Sequence, residues 1–137
     1  MVEKKKENKK KYFYARGTDK KASANVRLYK GKGESLINNK KYPDEFKNNY
    51  IRFLLNRAFI ATGTEGEFYF TSMIHGGGIV SQYDALSLAI SRALSLVDVK
   101  YKKTLSQNEL LRRDPRMVER KKINKVKSRK AHQFSKR

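Results

Sequence analysis

The strongest constraint on this chain is where its charge lies relative to its apolar residues. Residues 112–137 carry twelve Lys or Arg against two acids, and residues 1–16 carry seven bases against two. The 95 residues between them hold fourteen bases and nine acids. Regularly spaced apolar residues occur only in that middle stretch. Ordering a residue's backbone costs about 1–2 kcal/mol, and only the middle stretch has enough apolar surface to offset that cost by burial. The pattern divides the chain into three parts: a basic extension, 1–11, expected to be disordered when unbound; a globular body, 12–111; and a basic tail, 112–137, ordered by its partner.

The balance of charge points to the kind of partner. A formal net charge of +20 on 137 residues, with only 38% hydrophobic, opposes compaction and favours a polyanion. Nucleic acid fits best, because its dense phosphates release condensed counterions on binding. An anionic membrane fits less well, since it calls for a basic helix with a broad apolar face and the basic stretches here lack one. The chain has no cysteine, which excludes disulfides and thiolate chemistry and suits a reducing cytosol. No apolar run approaches the roughly 18 residues of a membrane span. The opening MVEKKKENKKKYFYARG lacks the apolar core of a secretory signal.

The body reads as α/β. Tyr12 to Tyr29 is a strand region interrupted at Gly17–Lys21, and Asn25–Tyr29 alternates polar and apolar side chains as a half-buried strand does. Gly31-Lys32-Gly33 reads as a turn leading to a second strand at Glu34–Asn38, making a hairpin with the first; Asn38-Asn39-Lys40 closes it with turn chemistry. Pro43-Asp44-Glu45-Phe46 starts a helical stretch, with Phe46, Tyr50, Ile51, Leu54, Leu55, Ala58 and Phe59 on one stripe. Glu67–Ile74 is a strand. A helix follows from about Ser81 to Val97, with Ser81 as its N-cap and Leu86, Ala89, Ile90, Ala93, Leu94 and Val97 on its buried side. A short helix is expected at Asn108–Leu111.

Few residues suggest chemistry. His75 and His132 lie far apart in sequence without evident orienting carboxylates, so acid–base RNA cleavage is disfavoured, and the acids show no metal-ligand spacing. Gly76-Gly77-Gly78 stands between a strand and a helix, where its backbone N–H groups can face a phosphate. A plain turn needing positive φ explains it equally well. It lacks the Gly-Lys-Ser/Thr ending of a nucleotide-binding P-loop. Tyr12, Phe13 and Tyr14 suit either base stacking or core packing.

Leu110 to Arg137, LLRRDPRMVERKKINKVKSRKAHQFSKR, resembles the C-terminal signature of bacterial-type small-subunit ribosomal protein nine. Val26-Arg27-Leu28, Gly31-Lys32-Gly33, Thr62-Gly63-Thr64-Glu65-Gly66, Gly76-Gly77-Gly78 and Arg92-Ala93-Leu94 add to the resemblance, which covers residues 13–137. It implies a single small α/β (α+β) domain with a mixed four-stranded sheet and packed helices. It implies a non-enzymatic protein of the cytoplasmic ribosome, or of an organelle ribosome, without cofactor or small-molecule substrate. The partners implied are ribosomal RNA in the head of the small subunit, neighbouring head proteins and transfer RNA at the peptidyl site. Arg112, Arg113, Arg116, Arg120, Lys121, Lys122, Lys125, Lys127, Arg129 and Lys130, with Gly76, Gly77 and Gly78, are the expected ribosomal-RNA contacts. Ser135, Lys136 and Arg137 are the expected transfer-RNA contacts. The chain departs from the family pattern at Thr18 and Asp19 (two arginines in the family), Asn25 (arginine), Val80-Ser81 (Ser-Gly) and Ser87-Leu88 (Arg-His). A DNA-binding protein, a small ribonuclease and a membrane-active cation are the rival classes.

Overall fold

Strict alternation builds the sheet. The computed structural model describes residues 11–42 and 48–137, so the expected helix start at Pro43–Phe46 and most of the N-terminal extension lie outside the described residues. In β1 (Tyr12–Asp19) and β2 (Ala22–Lys30) the buried positions are Ala15, Gly17 and Asp19, then Ala22, Ala24, Val26 and Leu28, with Ser23 also buried, where it accepts from Arg16. Their neighbours Tyr14, Arg16, Asn25 and Arg27 face the other way, as a period of two requires. β3 (Ser35–Ile37), β4 (Lys40–Tyr42) and β5 (Phe68–His75) complete a five-stranded mixed sheet of order β1-β2-β5-β3-β4. Among the described residues only the β3–β5 pair is parallel.

Two details of the strand reading are corrected. β2 does not form a hairpin with the Glu34–Asn38 strand: it pairs antiparallel with β1 and β5, while β3 lies parallel to β5 through Leu36↔Thr71 and Ile37↔Ser72. The true hairpin is β1–β2, joined by a two-residue turn at Lys20-Lys21 with Lys20 at φ 49°. That turn has none of the Gly, Asn or Asp that usually mark one, so the sequence hides it. The fifth strand, β4, reads Lys-Lys-Tyr with no alternation to find. It follows from Asn38-Asn39, whose positive φ values of 49° and 66° make the two-residue turn that folds β4 antiparallel onto β3.

The helices cover one face of the sheet. α1 (Asn49–Thr62) starts at Asn48, whose side-chain oxygen accepts from the Tyr50 amide at 2.9 Å, and stops at Gly63, a left-handed residue at φ 65°. Leu54, Leu55, Ala58 and Phe59 are its buried stripe. Tyr50 is exposed instead. Phe59 stacks towards Phe70 of β5, with centroids 6.5 Å apart. α2 (Ile79–Val97) begins two residues earlier than expected, with Gly78 rather than Ser81 at its cap. The buried side holds Leu86, Ala89, Ile90, Ala93 and Leu94 as expected, with Val97 partly buried, and extends to Ala85, Ser87, Leu88 and Ser91. The expected helix at Asn108–Leu111 is a turn, in which the Leu110 amide donates to the Leu105 carbonyl at 2.9 Å. The third helix is α3 (Val99–Gln107), capped by Asp98, with Leu105 alone fully buried. One buried residue leaves no apolar stripe to read.

α2 lies against β1 and β2, and small residues let it come close. A Cβ on Gly17 would overlap the Ala85 carbonyl oxygen and stand 2.6 Å from the Ala89 backbone nitrogen. Neither atom belongs to a flexible side chain, so the helix itself would have to move. Gly17→Ala is expected to destabilise the fold by at least about 1–3 kcal/mol. Thermal unfolding should show a midpoint lowered by roughly 4–8 °C per kcal/mol; an unchanged midpoint would mean that α2 is free to shift.

Candidate nucleic-acid interface

The tail leaves the body through a cleft. Thr18 and Asp19 from the end of β1, Lys20 from the turn, Leu54 and Arg57 from α1, and Val80, Ser81, Asp84, Ser87 and Leu88 from α2 line it. Leu110, Arg112, Arg113, Asp114 and Arg116 close it from the tail side, around a volume of about 430 Å³. Six of the seven positions that depart from the pattern quoted above, Thr18, Asp19, Val80, Ser81, Ser87 and Leu88, meet here. They come from three separate stretches of sequence. Only the fold brings them together, and Asn25 alone lies elsewhere, on the uncovered face of the sheet.

Carboxylates organise the arginines at this exit. Asp114 accepts from the Arg116 amide at 3.0 Å, from its Nε at 2.9 and 3.1 Å and from its Nη2 at 2.7 Å. These hydrogen bonds hold the Asp114 carboxyl down to a pKa of about 2. Asp84 goes the other way: burial raises it, reinforced by the charge of Asp19 and opposed by Lys20 and Arg57. Arg113 is half-buried, and its Nε has no hydrogen-bond partner among the described residues. Such a donor is costly when left unpaired.

Beyond Arg116 the described residues contain neither helix nor strand, but the tail is not featureless. Glu119 accepts from Arg129 at 2.7 and 2.9 Å and lies 3.8 Å from the Lys122 ammonium. The Ser128 hydroxyl donates to the Glu119 carbonyl at 3.0 Å, and the Val126 amide to the Lys130 carbonyl at 2.8 Å. These contacts close a loop over residues 119–130. Of the ten cations expected to meet ribosomal RNA, Arg116 and Arg129 are thus engaged bidentately by carboxylates, whereas Arg112, Lys121, Lys127 and Lys130 stand exposed and Lys125 is half-buried. Val118, Ile123 and Phe134 are about nine-tenths exposed. Ser135, Lys136 and Arg137 are exposed too, with the Ser135 hydroxyl donating to a main-chain oxygen of Arg137 at 3.0 Å.

The glycine loop packs against the β1–β2 turn. Gly76 and Gly77 take φ values of 77° and 64°, and a Cβ on either would press on the backbone of Lys21 or Ala22. Conformation and close approach therefore account for those two glycines. Gly78, the α2 cap, has open space around it and no side-chain cap satisfies the helix start. Gln82 ties the loop to the helix by donating to the Gly76 carbonyl at 3.0 Å. His75 ends β5 and His132 lies in the tail, both exposed. Phe13 packs on the core, one of the two roles expected for the aromatic trio, while Tyr12 and Tyr14 are exposed. Among the described residues no three acids or histidines cluster as a metal site, and no helix is long and apolar enough to cross a membrane.

The ribosomal protein S9/S16 family matches residues 17–137, tail included. The chain belongs to that family. It is 41% identical over 121 residues to the small ribosomal subunit protein uS9 of Christiangramia forsetii, covering 88% of this chain and 94% of that protein. Membership of the S9/S16 family makes this a non-enzymatic structural protein of the ribosome. It also places the cleft within a family setting: the S9/S16 match begins at Gly17, so the cleft residues fall inside the matched span.

The two carboxylates at the cleft should titrate on opposite sides of the ordinary aspartate value of about 3.9. For Asp114 the folded pKa is depressed, so the stabilisation from its pair with Arg116 is present above the ordinary value and is lost as pH falls through about 2. For Asp84 the folded pKa is raised, so its linkage favours the fold below the ordinary value and fades as pH rises through the raised one. Carboxyl-carbon NMR titration checks both. Arg116→Gln should return the Asp114 midpoint towards the ordinary value and leave Asp84 above it.

Proposed function

We propose that this protein is a structural constituent of the small ribosomal subunit that binds ribosomal RNA in the subunit head and reaches transfer RNA at the peptidyl site with the tip of its tail. The observation that carries the reading is the state of residues 117–137. Cations and large apolar side chains stand exposed there together, on a segment without regular structure that leaves a well-packed body. A chain does not leave Val118, Ile123 and Phe134 in water for its own stability, and RNA grooves offer both phosphates for the cations and stacked surface for the apolar groups.

The cations divide by position. Arg112, Arg113, Arg116, Arg120, Lys121, Lys122, Lys125, Lys127, Arg129 and Lys130 meet ribosomal RNA along the tail, and Gly76, Gly77 and Gly78 offer backbone amides beside the open start of α2. Phosphate contacts set the course of the chain, which follows RNA shape rather than sequence. The unpaired Nε of Arg113 is one donor that such a partner would satisfy. Pairing of Asp114 with Arg116 and of Glu119 with Arg129 fixes guanidinium groups before RNA arrives, which reduces the entropy lost on docking. Neighbouring head proteins complete the surroundings, in the cytoplasmic ribosome. No cofactor takes part in this reading.

Residues 131–137 run on beyond the loop closed over residues 119–130, and an extended chain gains about 3.3 Å per residue. Ser135, Lys136 and Arg137 form that tip. Charge-assisted contacts to phosphate contribute about 1.5–3 kcal/mol each when well formed. Deleting Ser135–Arg137 is therefore expected to leave the protein in assembled subunits but to weaken peptidyl-site transfer RNA about ten-fold, or about 1.4 kcal/mol. Filter binding of transfer RNA to small subunits programmed with messenger RNA measures this directly. Unchanged affinity at normal occupancy would leave the tip as an assembly strut.

A further inference from the structure

The helices cover one face of the sheet, and the other carries an ordered set of side chains that the tail-based reading does not use. Cross-strand register puts Tyr12, Tyr29 and Tyr69 in one row across β1, β2 and β5. The rings of Tyr12 and Tyr29 lie 5.7 Å apart, and those of Tyr29 and Tyr69 are stacked at 5.0 Å and 12°. The Arg27 guanidinium sits 5.4 Å from the centre of the Tyr12 ring. In the next row stand Tyr14, Arg27 and Thr71, and in the next Arg16, Asn25 and Met73. The Tyr14 hydroxyl donates to Asn25 at 3.2 Å, and Arg16 Nε to the Ser23 hydroxyl at 3.0 Å. A shallow hollow of about 480 Å³ crosses these strands.

The charge on this face has one sign. None of the outward positions of β1, β2 and β5 in the four rows from Tyr12 to Thr18 is Asp or Glu, while Arg16 and Arg27 are both among them. A protein partner held by such a face would need to bring an acidic patch, whereas RNA supplies phosphates and planar bases at once. Arg pairs bidentately with phosphate and stacks on rings, and exposed tyrosines stack on unpaired bases whatever their sequence. The tyrosine column and the Arg16–Ser23 and Tyr14–Asn25 contacts hold these groups in place before binding, which lowers the ordering cost.

We propose that the uncovered face of the sheet is a second RNA-docking surface, where Tyr14 and Met73 pack against an unpaired ribosomal-RNA segment and Arg16 and Arg27 meet its phosphates. The inference rests on the reading of the chain as bound to ribosomal RNA, and it makes the body grip RNA independently of the tail. The orientation of the cleft and of the glycine loop in the subunit then follows from two anchored sides of the molecule.

The test uses the whole protein in assembled small subunits. With Tyr14→p-benzoylphenylalanine, irradiation should yield an adduct that ribonuclease digests. An adduct with a neighbouring protein, or none, overturns the proposal. The same photoreactive residue at Val126 reports on the tail alone, so subunits labelled on RNA from position 126 but not from 14 reject the face while the family reading stands. In solution, Tyr14→Ala combined with Arg27→Ala should weaken binding of the full chain to small-subunit ribosomal RNA about ten-fold and reduce its logarithmic salt slope by about 1. Arg27→Lys should restore the slope. Equal affinity and slope in the doubly substituted chain would also contradict the proposal.

Discussion

The close approach of α2 to the β1–β2 hairpin is the contact on which the rest of the molecule depends. Gly17 leaves no room between its Cα and the backbone of Ala85 and Ala89, and Ala15, Ala22, Ala24, Ala89 and Ala93 continue the same small-residue layer. This packing fixes the height of the helix above the sheet. It also fixes what is attached at the helix's N-terminal end: the glycine loop pressed on Lys21 and Ala22, and the cleft where Asp19 and Asp84 receive the root of the tail. Helix and hairpin are thus a single rigid base for a segment that has no regular structure of its own.

Electrostatics opposes this compactness, and the chain answers it by separation. Most of its excess of bases lies outside the body, which keeps like charges apart in the folded core. Within the tail the two acids are spent locally: Asp114 holds Arg116 and Glu119 holds Arg129. Exposed ion pairs add little to stability. Their effect here is to shape a basic segment into defined turns before it meets RNA. At the cleft Asp114 holds Arg116, and Asp19 and Asp84 add two further carboxylates to the lining. The root of this tail thus carries an ion pair of its own, between Asp114 and Arg116.

Much of the architecture was legible in the sequence where burial followed a simple period. α2 and its buried side, the α1 stripe from Leu54 to Phe59 and strand β5 were all visible as spacing of apolar residues. The failures have local causes. Lys20-Lys21 makes a tight turn without turn residues, so nothing in the sequence marks β1 and β2 as the hairpin. β4 and α3 bury too little to leave a pattern. The tail's signature was legible because it is a continuous run of residues. The cleft was not, since its walls come from β1, α1, α2 and residues 110–116, and nothing in sequence order announces that Thr18, Val80 and Leu88 are neighbours. The open sheet face was half legible: the trio Tyr12, Phe13 and Tyr14 drew attention, but only the register reveals the row that continues through Tyr29 and Tyr69.

The central claim is that this protein is an integral part of the small ribosomal subunit, held by many phosphate contacts spread over tail and body. Sedimentation of small subunits through increasing salt, with the protein quantified in each fraction, tests this most directly. Extended contact with folded RNA and neighbouring proteins predicts one copy per subunit retained after a high-salt wash, even though the free chain's affinity for RNA falls steeply with salt. Progressive loss from the subunit peak at salt concentrations that leave other head proteins bound would contradict the account and describe a peripheral, purely electrostatic ligand instead.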